Sequence, residues 1–241
     1  MFVEFFTVFV ITLSFFLSAS VGFGAGLIAI PILALIIDTS QAITLVLFFQ
    51  LLQGVLVFFN YKVADWPLLK KILPGIVIGT VVGTMFIAYL PQAIVSLFLG
   101  VIVLLYTVRS MMHFTIGHKT IQKVPTSFAG LLGGVIHGAF GVGGSVFVIY
   151  YKEMIKSRVS FRASLFVTFF ICNFIRLFIS VPTGLVTDEL LFLVMVSFIP
   201  FLLALYIGQK LHDQIHEKLL KHIIDGLLLL SSVSLIVKSF L

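Results

Sequence analysis

The chain has 241 residues, of which 61% are hydrophobic and only 10% charged, and its mean hydropathy is +1.25. A soluble domain carries about 25% charged residues, so this composition excludes one. It points to a polytopic membrane protein, with room for about six to nine spans of roughly 20 residues each. The net charge of +6 resides in short links between apolar runs, which is the pattern of the positive-inside rule and not of a nucleic-acid surface.

The first apolar run, Phe2 to Ile37, is too long for one simple span and is interrupted by Gly22, Gly24, Gly26 and Pro31. Glycine inside a helix costs about 1 kcal/mol relative to alanine, and proline removes a backbone hydrogen bond. A broken helix is therefore expected. The start carries Glu4 and no Lys or Arg, and the run continues past Leu17-Ser18-Ala19-Ser20, so it reads as retained and not as a cleaved signal peptide. Asp38-Thr39-Ser40 offers capping side chains for a second segment, Gln41 to about Phe59. The link Asn60 to Pro67 holds Tyr61 and Trp66, ring types that suit the headgroup level. A third segment follows, about Leu68 to Leu90, and Pro91 opens a fourth that ends near Arg109.

The longest polar stretch, His113 to Thr126, reads as the linker between two halves of a single membrane domain, repeat 1 over residues 1–112 and repeat 2 over residues 127–241. Segment five, Ser127 to Tyr151, precedes a basic loop with Lys152, Lys156, Arg158 and Arg162. Segment six runs to about Val181, segment seven from about Glu189 to Ile207, and segment eight from about Leu219 to Leu241. The expected fold class is thus an all-α polytopic membrane protein with about eight hydrophobic segments in two homologous halves. The halves match at several landmarks: GFGAGLIAIP at Gly22 to Pro31 with GVGGSVFVIY at Gly141 to Tyr150, Asp65 with Asp188, and Pro74 to Gly83 with Pro200 to Gly208. Internal repeats of this kind are common in transporter folds.

The basic residues set a topological problem. Lys119 and Lys123 before segment five, and Lys152, Lys156, Arg158 and Arg162 after it, put both of its flanks inside. A glycine break that lets segment five turn back as a re-entrant hairpin resolves this, and it makes the two repeats inverted. The alternative is a plain spanning helix with one loop that violates the charge rule.

Unwound backbone at membrane depth is tolerated where it is buried in protein or lines a cavity, and half-helix N-termini there turn amides and a positive dipole end toward an anion. Gly22, Phe23, Gly24 and Gly26, with Gly141, Gly143, Gly144 and Ser145, are candidate substrate-binding residues on two such ends facing each other. Close helix packing is the competing explanation, and it is preferred for Gly79 with Gly83, Gly130 with Gly134 and Gly134 with Gly138. Arg176 is the basic residue well inside an apolar segment and so a functional candidate. Asn173, three residues earlier, shares its helix face. Together they would hold a small oxyanion, with the guanidinium as a forked donor, unless Arg176 snorkels or pairs with Asp188.

Gln50 and Gln53 have the same spacing in segment two and offer neutral donors, or else hydrogen bonds that only hold the bundle together. His137 and Asp225 are candidate proton carriers, against a neutral packing histidine and an aspartate paired with Lys221. The other histidines read as solvated, Cys172 as a small buried hydrophobe, and the 27 phenylalanines as lipid-facing or core material. No hydrolase triad, HExxH helix, phosphate-binding loop or paired carboxylates occur in the sequence, so neither an enzyme nor a cofactor or metal is expected.

GFGAGLIAIPIL and GAFGVGGSVFVIY are followed by Gln41-Ala42-Ile43-Thr44 and by Arg162-Ala163-Ser164. With the Asp65-Trp66 link and the Pro74-Gly75 segment, they resemble the TauE/SafE family over nearly the whole chain. The resemblance implies a multi-pass plasma-membrane carrier of the kind associated with export of sulfite and of organosulfonates such as sulfoacetate. The family glycines fall on Gly22, Gly24, Gly26, Gly141, Gly143 and Gly144, and the family proline on Pro31. Ala25 and Ser145 replace glycines of the usual triple, and Tyr150 stands where the second copy often has proline. The expected function is a secondary transporter of a small sulfur-containing anion, with the lipid bilayer as its other partner, a proton as the candidate coupling ion and no nucleic acid. A passive anion channel of the same fold and a membrane assembly protein without a transported substrate are the alternatives. Oligomeric state is left open.

Overall fold

The computed structural model describes residues 2–21, 24–57, 62–112, 121, 123–210 and 217–240. Among them ten α-helices follow one another and no strand occurs: α1 (Phe2–Val21), α2 (Ala25–Leu33), α3 (Thr39–Val57), α4 (Trp66–Tyr89), α5 (Gln92–Met111), α6 (Thr126–Phe140), α7 (Gly144–Met154), α8 (Arg158–Ser180), α9 (Asp188–Lys210) and α10 (Glu217–Lys238). Five of these, α1, α4, α5, α8 and α9, are long and apolar enough to cross a membrane. The eight expected segments become ten helices because the first and fifth are each two helices, divided at the glycine clusters. Two compact units divide the chain, and neither is a sequence half. One comprises Met1–Val46, Leu90–Phe114 and Gly184–Leu241, the other Leu47–Tyr89 and Thr115–Thr183.

In the first unit α1 packs along α9, α10 along α5, and α2 beside α1. Phe15 and Phe201 meet edge to face, with ring centroids 4.9 Å apart. Gly208 lies so near α1 that an added Cβ would stand 2.6 Å from the Phe16 carbonyl oxygen. Leu17 and Ile28 share a cluster with Leu13, Phe16 and Ile32. The start of α3 is capped from α5: Gln92 Oε1 accepts from the Ser40 amide at 3.2 Å, and Gln92 Nε2 donates to Ser40 Oγ at 2.9 Å. Thr39 and Ser96 join their hydroxyls at 2.6 Å. The Ser40 amide is thus capped by a side chain remote in sequence. The far end of α2 is closed in the same manner, since Lys238 Nζ donates to the Ala34 carbonyl at 2.7 Å.

The second unit is built on α4 against α6. Gly75, Gly79 and Gly83 recur every fourth residue and so share one face of α4, as Gly130, Gly134 and Gly138 do on α6. Each lies against the partner's backbone. A Cβ on Gly134 would stand 2.6 Å from Ile76 O, and one on Gly79 would stand 2.8 Å from Val135 N. The packing explanation for these glycines is the one the structure bears out. Small residues serve this purpose in membranes because backbones can approach only where side chains are absent. Thr84 Oγ1, which also bonds Thr80 O, reaches the Gly138 carbonyl at 3.2 Å across this seam.

α7 then folds back along α6. Tyr150 donates to Thr126 Oγ1 at 2.9 Å, Phe147 lies against Gly133, and Gly143 against His137, so successive residues of one helix meet receding residues of the other. Segment five is therefore an antiparallel helical hairpin and not a single straight helix. Its base is held in a core of Leu68, Leu69, Ile72, Phe147, Tyr151 and Leu165. Ser157 caps α8 through the Ser160 amide at 3.3 Å, and Tyr151 and Thr168 share a hydrogen bond of 2.7 Å.

Candidate functional site

The site is assembled at the tip of the α6–α7 hairpin. α6 ends in Gly141 at φ +69, whose amide donates to the His137 carbonyl at 2.8 Å. This is a left-handed helix cap, where a residue with a Cβ is penalised by about 1–2 kcal/mol. Gly143 caps α7 with no room for a side chain, because a Cβ would stand 2.5 Å from Gly133 O and 2.6 Å from His137 N. The tight turn thus presses the start of α7 against His137. The first amides of α7, at Gly144 and Ser145, precede any intrahelical acceptor and carry the positive end of the helix dipole. Gly144 itself lies beside Phe169, whose ring would come within 3.1 Å of a Cβ there.

His137, Asn173 and Arg176 form a buried hydrogen-bonded group, with exposures of 2%, 0% and 2%. Arg176 Nη1 donates to Asn173 Oδ1 at 3.2 Å, and His137 Nε2 lies 3.2 Å from the same oxygen. A guanidinium only donates, so the Asn173 atom facing it is the carbonyl oxygen. That oxygen only accepts, so the proton in the second bond belongs to His137 Nε2. Phe169 stacks on the imidazole at 5.4 Å and 13°. Residues 169, 173 and 176 share one face of α8, which brings the aromatic, the amide and the cation together. Gln50, on α3, donates from Nε2 to the Gly141 carbonyl at 3.5 Å.

Several polar atoms of this group find no protein partner among the described residues. They are Arg176 Nε, Asn173 Nδ2, His137 Nδ1 and Gln50 Oε1, all of them buried. Arg176 makes no ion pair with a carboxylate among those residues. An unmatched buried charge costs several kcal/mol, and an arginine with preoriented amide donors is suited to a small oxyanion. The arrangement is therefore chemically able to hold an anion.

Of the residues singled out in the sequence, Gln50, His137, Gly141, Gly143, Asn173 and Arg176 come together in this unit. Ser145 is the second residue of α7. Gln53 is half-buried on α3 and is not hydrogen-bonded into the group. In the other unit Gly24, at φ +100, caps α2, and Gly26 is buried within that helix, while Gly22 and Phe23 lie outside the described residues. Asp225 is buried there and accepts from Ser110 Oγ at 3.2 Å.

Phe169, four residues before Asn173, is core material as expected, and its ring also stacks on His137. Cys172 is fully buried as expected, and it also accepts from Thr80 Oγ1 at 3.5 Å, next to Asn173. That contact joins α8 to α4 and had no local signal.

Residues 7–235 match the family described as Sulfite exporter TauE/SafE. No significant match to a curated protein or to a solved structure was found. With nearly the whole chain covered and several helices apolar enough to span a bilayer, the chain is an integral membrane protein that belongs to the TauE/SafE sulfite exporter family of transporters.

Proposed function

We propose that this protein is a secondary transporter that moves a small sulfur-containing anion, such as sulfite or a sulfonate, across the cytoplasmic membrane by alternating access. The observation that carries the reading is Arg176, a buried guanidinium without a carboxylate partner among the described residues, with unpartnered donors on itself and on Asn173. An anion supplies the missing charge, and family membership makes an exported sulfur oxyanion the natural class. Arg176 and Asn173 bind it, the amides of Gly144 and Ser145 add the dipole end of α7, and Gln50 and Gly141 frame the turn. Gln53, Gly22, Phe23, Gly24 and Gly26 are further candidate substrate-binding residues in this proposal.

The helix pairings support two repeats joined through residues 113–126, which in this proposal are inverted. α1 packs with α9 in one unit and α6 with α4 in the other, so each unit pairs the opening helix of one half with the same late segment of the other. His137, hydrogen-bonded to Asn173, and Asp225, buried against Ser110, are the candidate groups for coupling flux to protons in this proposal.

Sulfite or sulfonate flux in proteoliposomes tests the proposal. A saturable, pH-gradient-driven flux that Arg176→Ala lowers by at least about 30-fold is expected, since removing one partner of a buried charged contact costs 2–5 kcal/mol. Conductance without counter-transport would instead identify a channel.

A further inference from the structure

Every charged side chain described in the second unit, Arg176 excepted, belongs to one end of that unit. Four chain segments meet there. Ser127 Oγ donates to the Lys71 carbonyl at 3.5 Å, the Asp65 amide donates to Ser164 Oγ at 2.9 Å, and Ala64, Ile121, Ile155 and Ala163 share one core cluster. Exposed cations therefore converge from separate parts of the chain: Lys70 and Lys71 near the start of α4, Lys123 before α6, Lys156 between α7 and α8, and Arg158 and Arg162 on α8. The acids at this end, Asp65 and Glu153, are half-buried, and Asp65 Oδ1 is engaged by the Leu68 amide at 3.0 Å. α4, α6 and α8 all start here, which adds the positive ends of their dipoles. In the first turns of those same helices Trp66, Phe128 and Val159 are exposed by 36%, 54% and 64%.

We propose that this end of the unit is a docking surface for the headgroups of anionic phospholipids. Arg158 and Arg162, four residues apart, share one face of α8 and present forked donors that match phosphate oxygens. A phospholipid leaflet sets phosphates directly above apolar chains, so it meets the cations and the exposed Trp66, Phe128 and Val159 together. A free anion would meet the cations alone. The positive-inside rule requires only that each basic link lie on one side of the bilayer. The return of α7 along α6, and the packing of both with α4 and α8, gather those links into a single patch. The patch is at the base of the α6–α7 hairpin, away from the Arg176 group at its tip, and does not depend on what that group binds.

Trp66 is the only tryptophan in the chain and adjoins Asp65, which is bonded to α8, so its fluorescence reports contact with lipid at this end. The full chain is reconstituted in phosphatidylcholine bilayers, into which phosphatidylglycerol or phosphatidylcholine brominated near the glycerol is titrated. Brominated phosphatidylglycerol is expected to quench Trp66 with an apparent affinity about threefold or more above that of brominated phosphatidylcholine at low salt, and the preference is expected to fall toward unity at high salt. Inorganic phosphate at constant ionic strength is expected to leave the preference standing. In Arg158→Gln/Arg162→Gln it is expected to drop below about twofold. The salt dependence in the unaltered chain keeps the test decisive where that variant does not fold. Equal quenching by the two lipids, or a preference that salt does not weaken, overturns the proposal. A preference unchanged in the folded double variant overturns it too, and its abolition by inorganic phosphate assigns the surface to free anions instead.

Discussion

The Tyr150 hydroxyl donates to Thr126 Oγ1 at 2.9 Å, joining the later part of α7 to the first residue of α6. This contact returns the chain to the end of the unit it started from. It also accounts for basic residues on both flanks of the segment, because Lys123 precedes α6 and Lys152 and Lys156 lie at the end of α7. Single cysteines at Lys123 and Lys156, both exposed, on a Cys172→Ser background are expected to react with an impermeant thiol reagent from the same face of sealed vesicles. Reaction from opposite faces would contradict the hairpin as a re-entrant element.

The α4–α6 seam gives a prediction about stability. Gly79→Ala and Gly134→Ala each place a Cβ against partner backbone, which cannot rotate away, and are expected to cost about 1–3 kcal/mol in detergent unfolding. Gly226→Ala on α10 has open space around it and is expected to be neutral or to stabilise by roughly 0.5–1 kcal/mol. A similar loss in all three would show that the seam is not set by close approach.

At the hairpin tip the requirement is conformational. Gly141 sits at φ +69, which asparagine visits far more readily than a β-branched residue does. Gly141→Asn is therefore expected to retain more thermal stability and more flux than Gly141→Val. Equal retention would remove the left-handed cap from the account.

Asn173→Asp separates a structural from an anion-binding role for the Arg176 group. It places a carboxylate 3.2 Å from the guanidinium in place of the amide oxygen, which satisfies the buried charge internally. The melting temperature is expected to hold or rise, while flux falls by at least about 30-fold because the charge an anion would meet is already neutralised. Preserved flux in a stable Asn173→Asp protein would show that Arg176 serves packing.

Much of this was legible from local rules. The first glycine cluster breaks a run too long for one helix, Pro91 and Pro125 stand at helix starts, and the four-residue recurrence of Gly75, Gly79 and Gly83 marks a packing face. Arg176 and Asn173 announced themselves as polar residues three apart in an apolar helix, and the structure joins them at 3.2 Å. What escaped depends on contacts between distant segments. Gln92 capping Ser40, Lys238 closing α2 and Thr80 reaching Cys172 all link residues far apart in the chain, where no spacing rule operates. His137 was legible as a proton carrier or a neutral hydrogen-bonded packing residue, but its partner was not, because the bond to Asn173 requires α6 and α8 to be neighbours.

Whether Arg176 receives an anion is decided by sulfite flux into proteoliposomes containing matched amounts of folded wild-type and Arg176→Ala protein. Saturable flux is expected in the wild type, with a loss of at least about 30-fold in the variant. Flux of equal size in the two proteins would contradict it.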